Sequence, residues 1–195
     1  MKILVPLMML LLVSCTGDNI YSPKPRMYPR VIFPEKQLKE FKVPSCDFNF
    51  VTADYFSVVQ DEYFYDEETQ HPCWFDLEAS IFNAAIHCSY FPLSTRAELD
   101  ELINDAFKVT NRHNVKAAYI EDLIIDRSEA NVHGLLFNVE GPVASPLQFY
   151  LTDSVQHFFR ASLYFNSKVD PDSTAVVLDY VRSDINEMIG SWKWK

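Results

Sequence analysis

The residue whose chemistry is clearest from the sequence is a cysteine that follows a short apolar leader. Lys2 supplies a positive charge, and residues 3–13 form an uncharged run. This run is too short for a membrane-spanning helix, which needs about 20 residues, so it is typical of a signal peptide. It leads into Leu12-Val13-Ser14-Cys15, the pattern of a bacterial lipobox. The sequence predicts a signal peptide over residues 1–14 and lipidation of Cys15 with acyl chains such as palmitate; ordinary secretion with a free Cys15 is the alternative.

Three further cysteines are candidates for a disulfide, because thiols oxidise outside the cytosol. Cys46 and Cys73 flank the first predicted strands, and a bridge between them would close a loop of 28 residues. Closing a loop of that length stabilises a fold by roughly 3–4 kcal/mol in the chain-entropy model. Cys88 is then the buried, unpaired cysteine. The alternative is three reduced and buried thiols.

Catalytic and cofactor motifs are absent from the sequence. The four glycines are too scattered for a phosphate-binding loop, none frames a serine as in the hydrolase elbow, and the five histidines lack zinc-ligand spacing. A triad of Ser89, His87 or His157, and Asp153 stays open. So does a pocket near His87 and Arg160, which would belong to an envelope enzyme or a small-ligand-binding lipoprotein. The main prediction is no enzyme, no cofactor and no metal ion.

The composition describes a folded, acidic protein with an extended N-terminal segment. Hydrophobic residues make up 48% of the chain, which is enough for a core. Acidic residues outnumber basic ones by 27 to 17, for a net charge of −10, so nucleic acid is not an expected partner. Residues 15–44 carry Cys15 and are rich in proline, which predicts a semi-rigid tether that lies against its own domain or a partner. Residues 45–195 are predicted to form a single domain.

Periodicity and turn residues predict the strands of that domain. Apolar runs indicate a strand pair between residues 48 and 59, an acidic loop at 61–68, and strands at 74–77, 85–90, 118–126, 132–140, 147–152 and 157–165. Alternation within 85–90 places Ile86, Cys88 and Tyr90 on one face of the strand and His87 and Ser89 on the other.

Two helices complete the prediction. Thr95-x-x-Glu98 is a capping box, and an apolar stripe from Leu99 to Phe107 follows it. The last helix begins near Asp170-Pro171 and carries an apolar stripe from Val177 to Trp192, and Lys193 and Lys195 are expected to complement its C-terminal dipole. Grouped strands with one inserted and one terminal helix predict an α+β fold, mainly an antiparallel sheet with two packing helices. A Mog1/PsbP-like α/β/α sandwich is one form of that fold.

Several segments together resemble one family. They are Tyr21-x-Pro23-Lys24-Pro25-Arg26, Phe33-Pro34, Cys46-Asp47-Phe48-Asn49-Phe50, Pro72-Cys73-Trp74, Ala85-Ile86-His87-Cys88-Ser89-Tyr90, the block from Val143 to Ser154, the block from Phe158 to Asn166, and the terminal Trp192-Lys193-Trp194-Lys195. With them, the chain resembles the gliding-motility lipoprotein GldD family of Bacteroidetes. The resemblance implies a lipoprotein required for gliding and associated with secretion of surface adhesins through the type IX pathway. It implies no catalytic residues.

The expected role is therefore a lipid-anchored, periplasm-facing component of the cell envelope. Its expected partners are the membrane, through the lipid, and other envelope proteins of the gliding and secretion machinery. The interaction surface is predicted on outward-facing Gln148, Tyr150 and Asp153, with Arg160 as a charged neighbour on the next strand. The alternative interpretation of these residues is a polar sheet face with a hairpin turn.

Overall fold

A computed structural model describes residues 31–42, 45–60, 63–64, 67–68, 72–166 and 170–195. The described residues all belong to one compact unit, residues 31–195. The predicted signal peptide, Cys15 and the first part of the predicted tether therefore lie outside the described residues. The helices of the described part are too short or too polar to cross a membrane.

Twelve strands and two α-helices form the described part of the chain. They are β1 (Leu38–Phe41), β2 (Phe48–Ala53), β3 (Ser57–Val59), β4 (Tyr63–Phe64), β5 (Glu67–Glu68), β6 (Phe75–Ala79), β7 (Ala84–Pro92), α1 (Arg96–Asn111), β8 (Tyr119–Arg127), β9 (Val132–Glu140), β10 (Leu147–Thr152), β11 (His157–Phe165), α2 (Pro171–Ser191) and β12 (Lys193–Trp194).

The strands form one large antiparallel sheet and two small ones. The large sheet has seven strands in the order β3-β6-β7-β11-β10-β9-β8. A three-stranded sheet has the order β1-β2-β12, and β4 pairs with β5 in a short hairpin. With the two helices, this arrangement confirms the predicted α+β class and its mainly antiparallel sheet.

Two local predictions about the first strands are wrong. The strand pair expected between residues 48 and 59 does not form, because β2 pairs with β1 and β12 whereas β3 pairs with β6. The acidic stretch 61–68, predicted as a loop, contains the β4–β5 hairpin, and its other residues lie outside the described part. The first difference depends on partners distant in sequence, β12 for β2 and β6 for β3, whereas the β4–β5 hairpin is a local pairing that the run of acidic side chains did not indicate.

Helix α1 begins where the sequence predicts. The side chain of Thr95 accepts a hydrogen bond from the backbone N–H of Glu98, and the Glu98 carboxylate accepts one from the backbone N–H of Thr95, each at 3.2 Å. These bonds satisfy two N–H groups that a helix start leaves without partners. The buried side of α1, with Leu99 and Ala106, packs on Phe137, Tyr150 and Phe158 of the large sheet. The capping-box prediction is confirmed.

Helix α2 ends differently from the prediction. It stops at Ser191, and Lys193 enters β12 beside β2. The terminal lysines therefore do not complement the C-terminal dipole of the helix. Arg127 takes that place: its guanidinium Nη1 donates to the carbonyl oxygens of Ile189 at 2.9 Å and Trp192 at 3.1 Å. Lys195 donates instead to the carbonyl oxygen of Cys46 at 2.7 Å. A basic residue distant in sequence therefore satisfies the last carbonyls of α2.

The main core lies between the large sheet and the layer formed by α2 and the three-stranded sheet. Trp192 is fully buried at its centre, with ring centroids 4.7 Å from Phe48, 5.0 Å from Phe50 and 4.4 Å from Phe159. A second, smaller core lies on the opposite face of the large sheet, under α1. The seven-stranded sheet is therefore the middle layer of the fold.

Part of the predicted tether belongs to the folded domain. Within residues 31–42, Phe41 is buried, and the Phe33 ring packs 4.6 Å from that of Tyr180 on α2. The Tyr180 hydroxyl donates to the Pro34 carbonyl at 2.7 Å, and Lys36 pairs with the buried carboxylate of Asp184 at 2.6 Å. Aromatic residues and this ion pair therefore place the start of the fold before the predicted boundary at residue 45.

Candidate functional site

The predicted outward-facing surface is buried. Gln148, Tyr150 and Asp153 are 3%, 6% and 8% exposed. Helix α1 packs over the face of β10 that carries Tyr150, on which an open surface was expected, and Asp153 lies in the turn after β10. Tyr150 stacks on Phe158 at a centroid distance of 5.3 Å. The prediction that these three residues face outward is wrong, and of the four predicted surface residues only Arg160 is not buried.

Asp153 has a local structural role in the turn between β10 and β11. Its Oδ1 accepts hydrogen bonds from the backbone N–H groups of Val155 at 2.9 Å and of Gln156 and His157 at 2.8 Å. Burial alone would raise the pKa of Asp153, but these bonds outweigh it and hold the pKa below its ordinary value. This arrangement matches the hairpin-turn alternative for this residue.

The serine–histidine–aspartate triad that stayed open as an alternative is not assembled in the described residues. The Asp153 carboxylate accepts the backbone N–H of His157, while the His157 ring Nδ1 contacts the Tyr90 hydroxyl at 2.7 Å. Burial, followed by nearby carboxylates, raises the pKa of Tyr90 to about 12, so this hydroxyl stays protonated at neutral pH. Among the same residues, no group of three His, Cys, Asp or Glu side chains is placed to hold a metal ion.

The pocket predicted near His87 and Arg160 exists as a cavity of about 370 Å³ on the α1 side of the large sheet. It lies beside the end of α1, where Val109 forms one wall, and extends over β11, β7 and β6 towards β3. Alternation explains its polar floor, because Ile86, Cys88 and Tyr90 face the main core while His87 and Ser89 face the cavity, as predicted.

Asp76 orients His87 in the cavity floor. The two residues are direct partners across β6 and β7, and His87 Nδ1 lies 2.7 Å from Asp76 Oδ1. The hydrogen bond to Asp76, together with the negative charge of that carboxylate, raises the pKa of His87 against the opposing effect of burial. Sequence reasoning missed Asp76, although its position between Phe75 and Leu77 in an alternating strand places it on the cavity face.

Arg160 lies in the floor opposite Ser89 on β7 and Tyr150 on β10. Its side chain is partly buried, and burial lowers the pKa of the guanidinium. Asp105 on α1 is the carboxylate with most influence on it, but that carboxylate pairs with Lys108 at 2.9 Å. Arg160 forms no hydrogen bond or ion pair with any residue that the structure describes. A guanidinium with free donors therefore faces the cavity.

The walls of the cavity are largely apolar. The rings of Trp74 and Phe91 pack edge to face at 5.3 Å, and the indole N–H of Trp74 donates to the Tyr90 carbonyl at 2.8 Å. The Tyr164 ring lies 5.0 Å from the ring of His87. These contacts hold the aromatic walls in place around a polar floor.

A second cavity, of about 320 Å³, lies between β9, the β9–β10 connection and α2. Its arginine, Arg182, donates to the Asn138 side-chain oxygen at 2.6 Å and lies 3.9 Å from an Asp179 oxygen. This arginine is therefore already satisfied by protein groups, unlike Arg160.

The structure joins Cys46 to Cys73 by a disulfide, with their Cα atoms 5.6 Å apart. The bridge links the start of β2 to the segment that precedes β6. Cys88 is free and buried on the core face of β7, and burial raises the pKa of its thiol. A protonated and enclosed thiol of this kind behaves as a small apolar side chain.

No curated protein matches the chain. Among solved structures, the chain is similar to the solution structure of cyanobacterial PsbP (CyanoP) from Synechocystis sp. PCC 6803, with 12% sequence identity, coverage of 95% of this chain and 99% of that one, and a TM-score of 0.49. The model of the family described as gliding motility lipoprotein GldD matches residues 18–194. Because this match spans nearly the whole sequence, the chain belongs to the gliding motility lipoprotein GldD family.

Proposed function

We propose that this gliding-motility lipoprotein is a non-enzymatic component of the gliding apparatus and of the type IX secretion associated with it. The observation that carries the proposal is the family match over residues 18–194. The lipid on Cys15 would hold the domain on the periplasmic side of an envelope membrane, where it would contact other proteins of the machinery. A motility lipoprotein of this kind acts by assembly with its partners.

The arrangement of the candidate catalytic groups supports the non-enzymatic role. His87 is oriented by Asp76, but no hydrogen bond connects His87 to a serine hydroxyl among the described residues. His157 is buried and bonded to Tyr90, and Asp153 is engaged by backbone donors. An activated serine needs a base within hydrogen-bond reach, and in the described residues no hydrogen bond joins Ser89 to His87, His157 or Asp153.

Complementation of a deletion strain tests the role. The full chain should restore colony spreading in a gliding organism, or secretion of type IX cargo in a non-gliding one, and so should His87→Gln, because no proton transfer is required. His133→Gln is the matched control, since His133 forms a similar surface pair with Asp126 at 3.2 Å. Loss of complementation by a folded, membrane-bound His87→Gln alone would reject the non-enzymatic role. Normal spreading and secretion in the deletion strain would show that the protein is needed for neither gliding nor type IX secretion.

The anchor has a separate test. Cys15→Ala should abolish palmitate labelling and move the protein from the membrane to the soluble fraction, because the acyl chains provide the membrane affinity. Cys88→Ala is the control, since Cys88 is buried in the domain and should not carry lipid. Equal palmitate labelling of the Cys15→Ala variant and the unaltered chain would reject the assignment.

The cavity at Arg160 favours a second candidate function, an envelope lipoprotein that binds a small ligand or acts on one. Ligand sites are usually concave, mostly apolar, and carry a few polar groups that fix orientation. The cavity of about 370 Å³, with its aromatic walls and polar floor, has these features. Direct measurement of ligand binding separates this function from assembly alone.

A further inference from the structure

The feature that points to a ligand is the charge of Arg160. Its side chain is partly buried on β11, its guanidinium forms no hydrogen bond or close ion pair in the described part of the chain, and the Asp105 carboxylate on α1 acts on it only through its charge. Burial without a partner is unfavourable for a charged group, so proteins normally pair such a cation. Arg182 on α2 follows that rule through Asn138.

The groups beside Arg160 are suited to an anion. Ser89 is its direct partner on β7, and Ser162 lies two residues further along β11 on the same face of the sheet. Both line the cavity, and both hydroxyls can donate hydrogen bonds to an oxyanion. A guanidinium presents a planar fork of donors that matches a carboxylate or phosphate group.

The carboxylates near the cavity are already engaged. Asp76 contacts the His87 ring at 2.7 Å, and Asp105 on α1 contacts Lys108 at 2.9 Å. Asp76 is also two strands away from Arg160, a separation of about 10 Å across the sheet. The donors of Arg160 therefore remain available to a ligand.

The remaining walls indicate what the anion is attached to. Trp74, Phe91, Val59, Val109 and Tyr164 present aromatic and aliphatic surface around the polar floor. An inorganic ion would leave this surface exposed to water. An organic anion would cover it and gain apolar burial together with the charged contact.

We propose that the cavity binds a small organic anion, with its carboxylate or phosphate group on Arg160, Ser89 and Ser162 and its apolar body against Trp74 and Phe91. The proposal rests on the second candidate function, and it names the chemical class of the ligand that this function would require. Carboxylate and phosphate groups accept hydrogen bonds from the same guanidinium and hydroxyl donors, and the experiment distinguishes them.

The experiment measures binding of para-fluorobenzoate and para-fluorophenyl phosphate by fluorine NMR to the full lipidated chain in detergent micelles. The neutral para-fluorobenzyl alcohol is the control for apolar contact and for partition into the micelle. At least one anion should bind, and it should bind at least about tenfold more tightly than the alcohol, because charge-assisted hydrogen bonds are stronger than neutral ones. The anion that binds with the higher affinity shows whether the site prefers a carboxylate or a phosphate group.

Two variants test whether Arg160 carries the binding. Arg160→Gln should weaken the anion at least about tenfold, whereas Arg182→Gln, which removes a partly buried arginine on α2, should leave its affinity unchanged. Ser89→Asp keeps Arg160 and supplies an internal carboxylate from the residue directly opposite, so it should also weaken the anion at least about tenfold. If Arg160→Gln fails to fold, the affinity of the Ser89→Asp variant shows whether Arg160 binds the anion.

Three results would overturn the proposal: neither anion binds, the alcohol binds as tightly as the anions, or folded Arg160→Gln and Ser89→Asp variants bind like the unaltered chain. These are direct binding measurements on the purified protein, whereas spreading and cargo secretion test the proposed role in motility. An anion site that Arg160→Gln removes without loss of spreading would support this inference and separate it from motility. Loss of spreading in the deletion strain without anion binding would support motility alone.

Discussion

The two faces of the seven-stranded sheet are covered to different extents. On one face, α2 and the three-stranded sheet bury a continuous aromatic core centred on Trp192. On the other, α1 covers β9, β10 and β11 and leaves a cavity beside it over β6 and β7. A helix is about 10 Å wide and strands are about 4.8 Å apart, so one helix spans about three neighbouring strands and leaves the others uncovered. The fold builds stability on the first face and leaves space for contact with other molecules on the second.

The largest expected effect is on the covered face. Trp192→Ala should lower the free energy of unfolding by about 3–5 kcal/mol, because it removes a fully buried ring that packs on Phe48, Phe50 and Phe159. Urea unfolding followed by circular dichroism measures the loss. Ile124→Ala, at a residue 82% exposed, is the control and should change stability by less than about 0.5 kcal/mol. A loss below about 1 kcal/mol for Trp192→Ala would contradict this account of the core.

The disulfide should give the next largest effect. The Cys46→Ser, Cys73→Ser double variant should lose about 2–4 kcal/mol, because the bridge restricts the unfolded chain and ties β2 to the segment before β6. Alkylation of the unaltered chain under denaturing, non-reducing conditions should modify Cys88 and spare Cys46 and Cys73. Alkylation of all three would show that the bridge is absent.

On the open face, removing a charge should stabilise the fold. Arg160→Met keeps the apolar stem and removes a partly buried cation without a described partner, so the free energy of unfolding should rise by about 1 kcal/mol. The melting temperature in the absence of ligand measures this change. Arg182→Met is the matched control and should destabilise, because it removes the hydrogen bond to Asn138. A loss of stability in Arg160→Met would show that Arg160 serves the fold.

The smallest effect concerns the pH dependence of His87. Its pKa is raised in the folded chain, chiefly by the hydrogen bond to Asp76, so Asp76→Asn should lower it. Because the folded pKa lies above the unfolded value, the pair stabilises the fold below the unfolded pKa, and this contribution is lost as pH rises through the folded pKa. The effect on unfolding is small, since the His87 side chain is 47% exposed.

Proton NMR of the histidine ring signals across the neutral pH range checks this prediction. Asp126→Asn, which alters the pair with His133, is the control and should leave the His87 titration unchanged. An unchanged His87 pKa in Asp76→Asn would show that the carboxylate does not control the charge of this ring.

Short-range features of the fold could be predicted from the sequence. The capping box at Thr95 and Glu98 forms within one helical turn, and the alternation that separates His87 from Cys88 is a property of any strand. Turn residues and apolar runs placed the later strands, and their antiparallel pairing followed from short connections. These predictions needed no knowledge of distant contacts.

The candidate site was only partly predictable. His87 and Arg160 were assigned to one pocket, and the structure places them in one cavity. Asp76 was missed because its role depends on the register between β6 and β7, which local periodicity does not specify. The outward orientation of Gln148 and Tyr150 was wrong because alternation identifies two faces of a strand but not which face a helix covers, and that of Asp153 was wrong because its carboxylate turns inward to accept backbone N–H groups of the next turn.

The sequence alone therefore determined the α+β class, the start of α1 and the faces of β7, because hydrogen bonds and side-chain periods over a few residues specify them. Only the tertiary structure decided that Arg127 binds the end of α2, that residues 31–42 join the fold, and that Arg160 has donors without partners. Each of these depends on residues far apart in sequence. Their contacts are selected by the competition of many surfaces for burial, which no local pattern records.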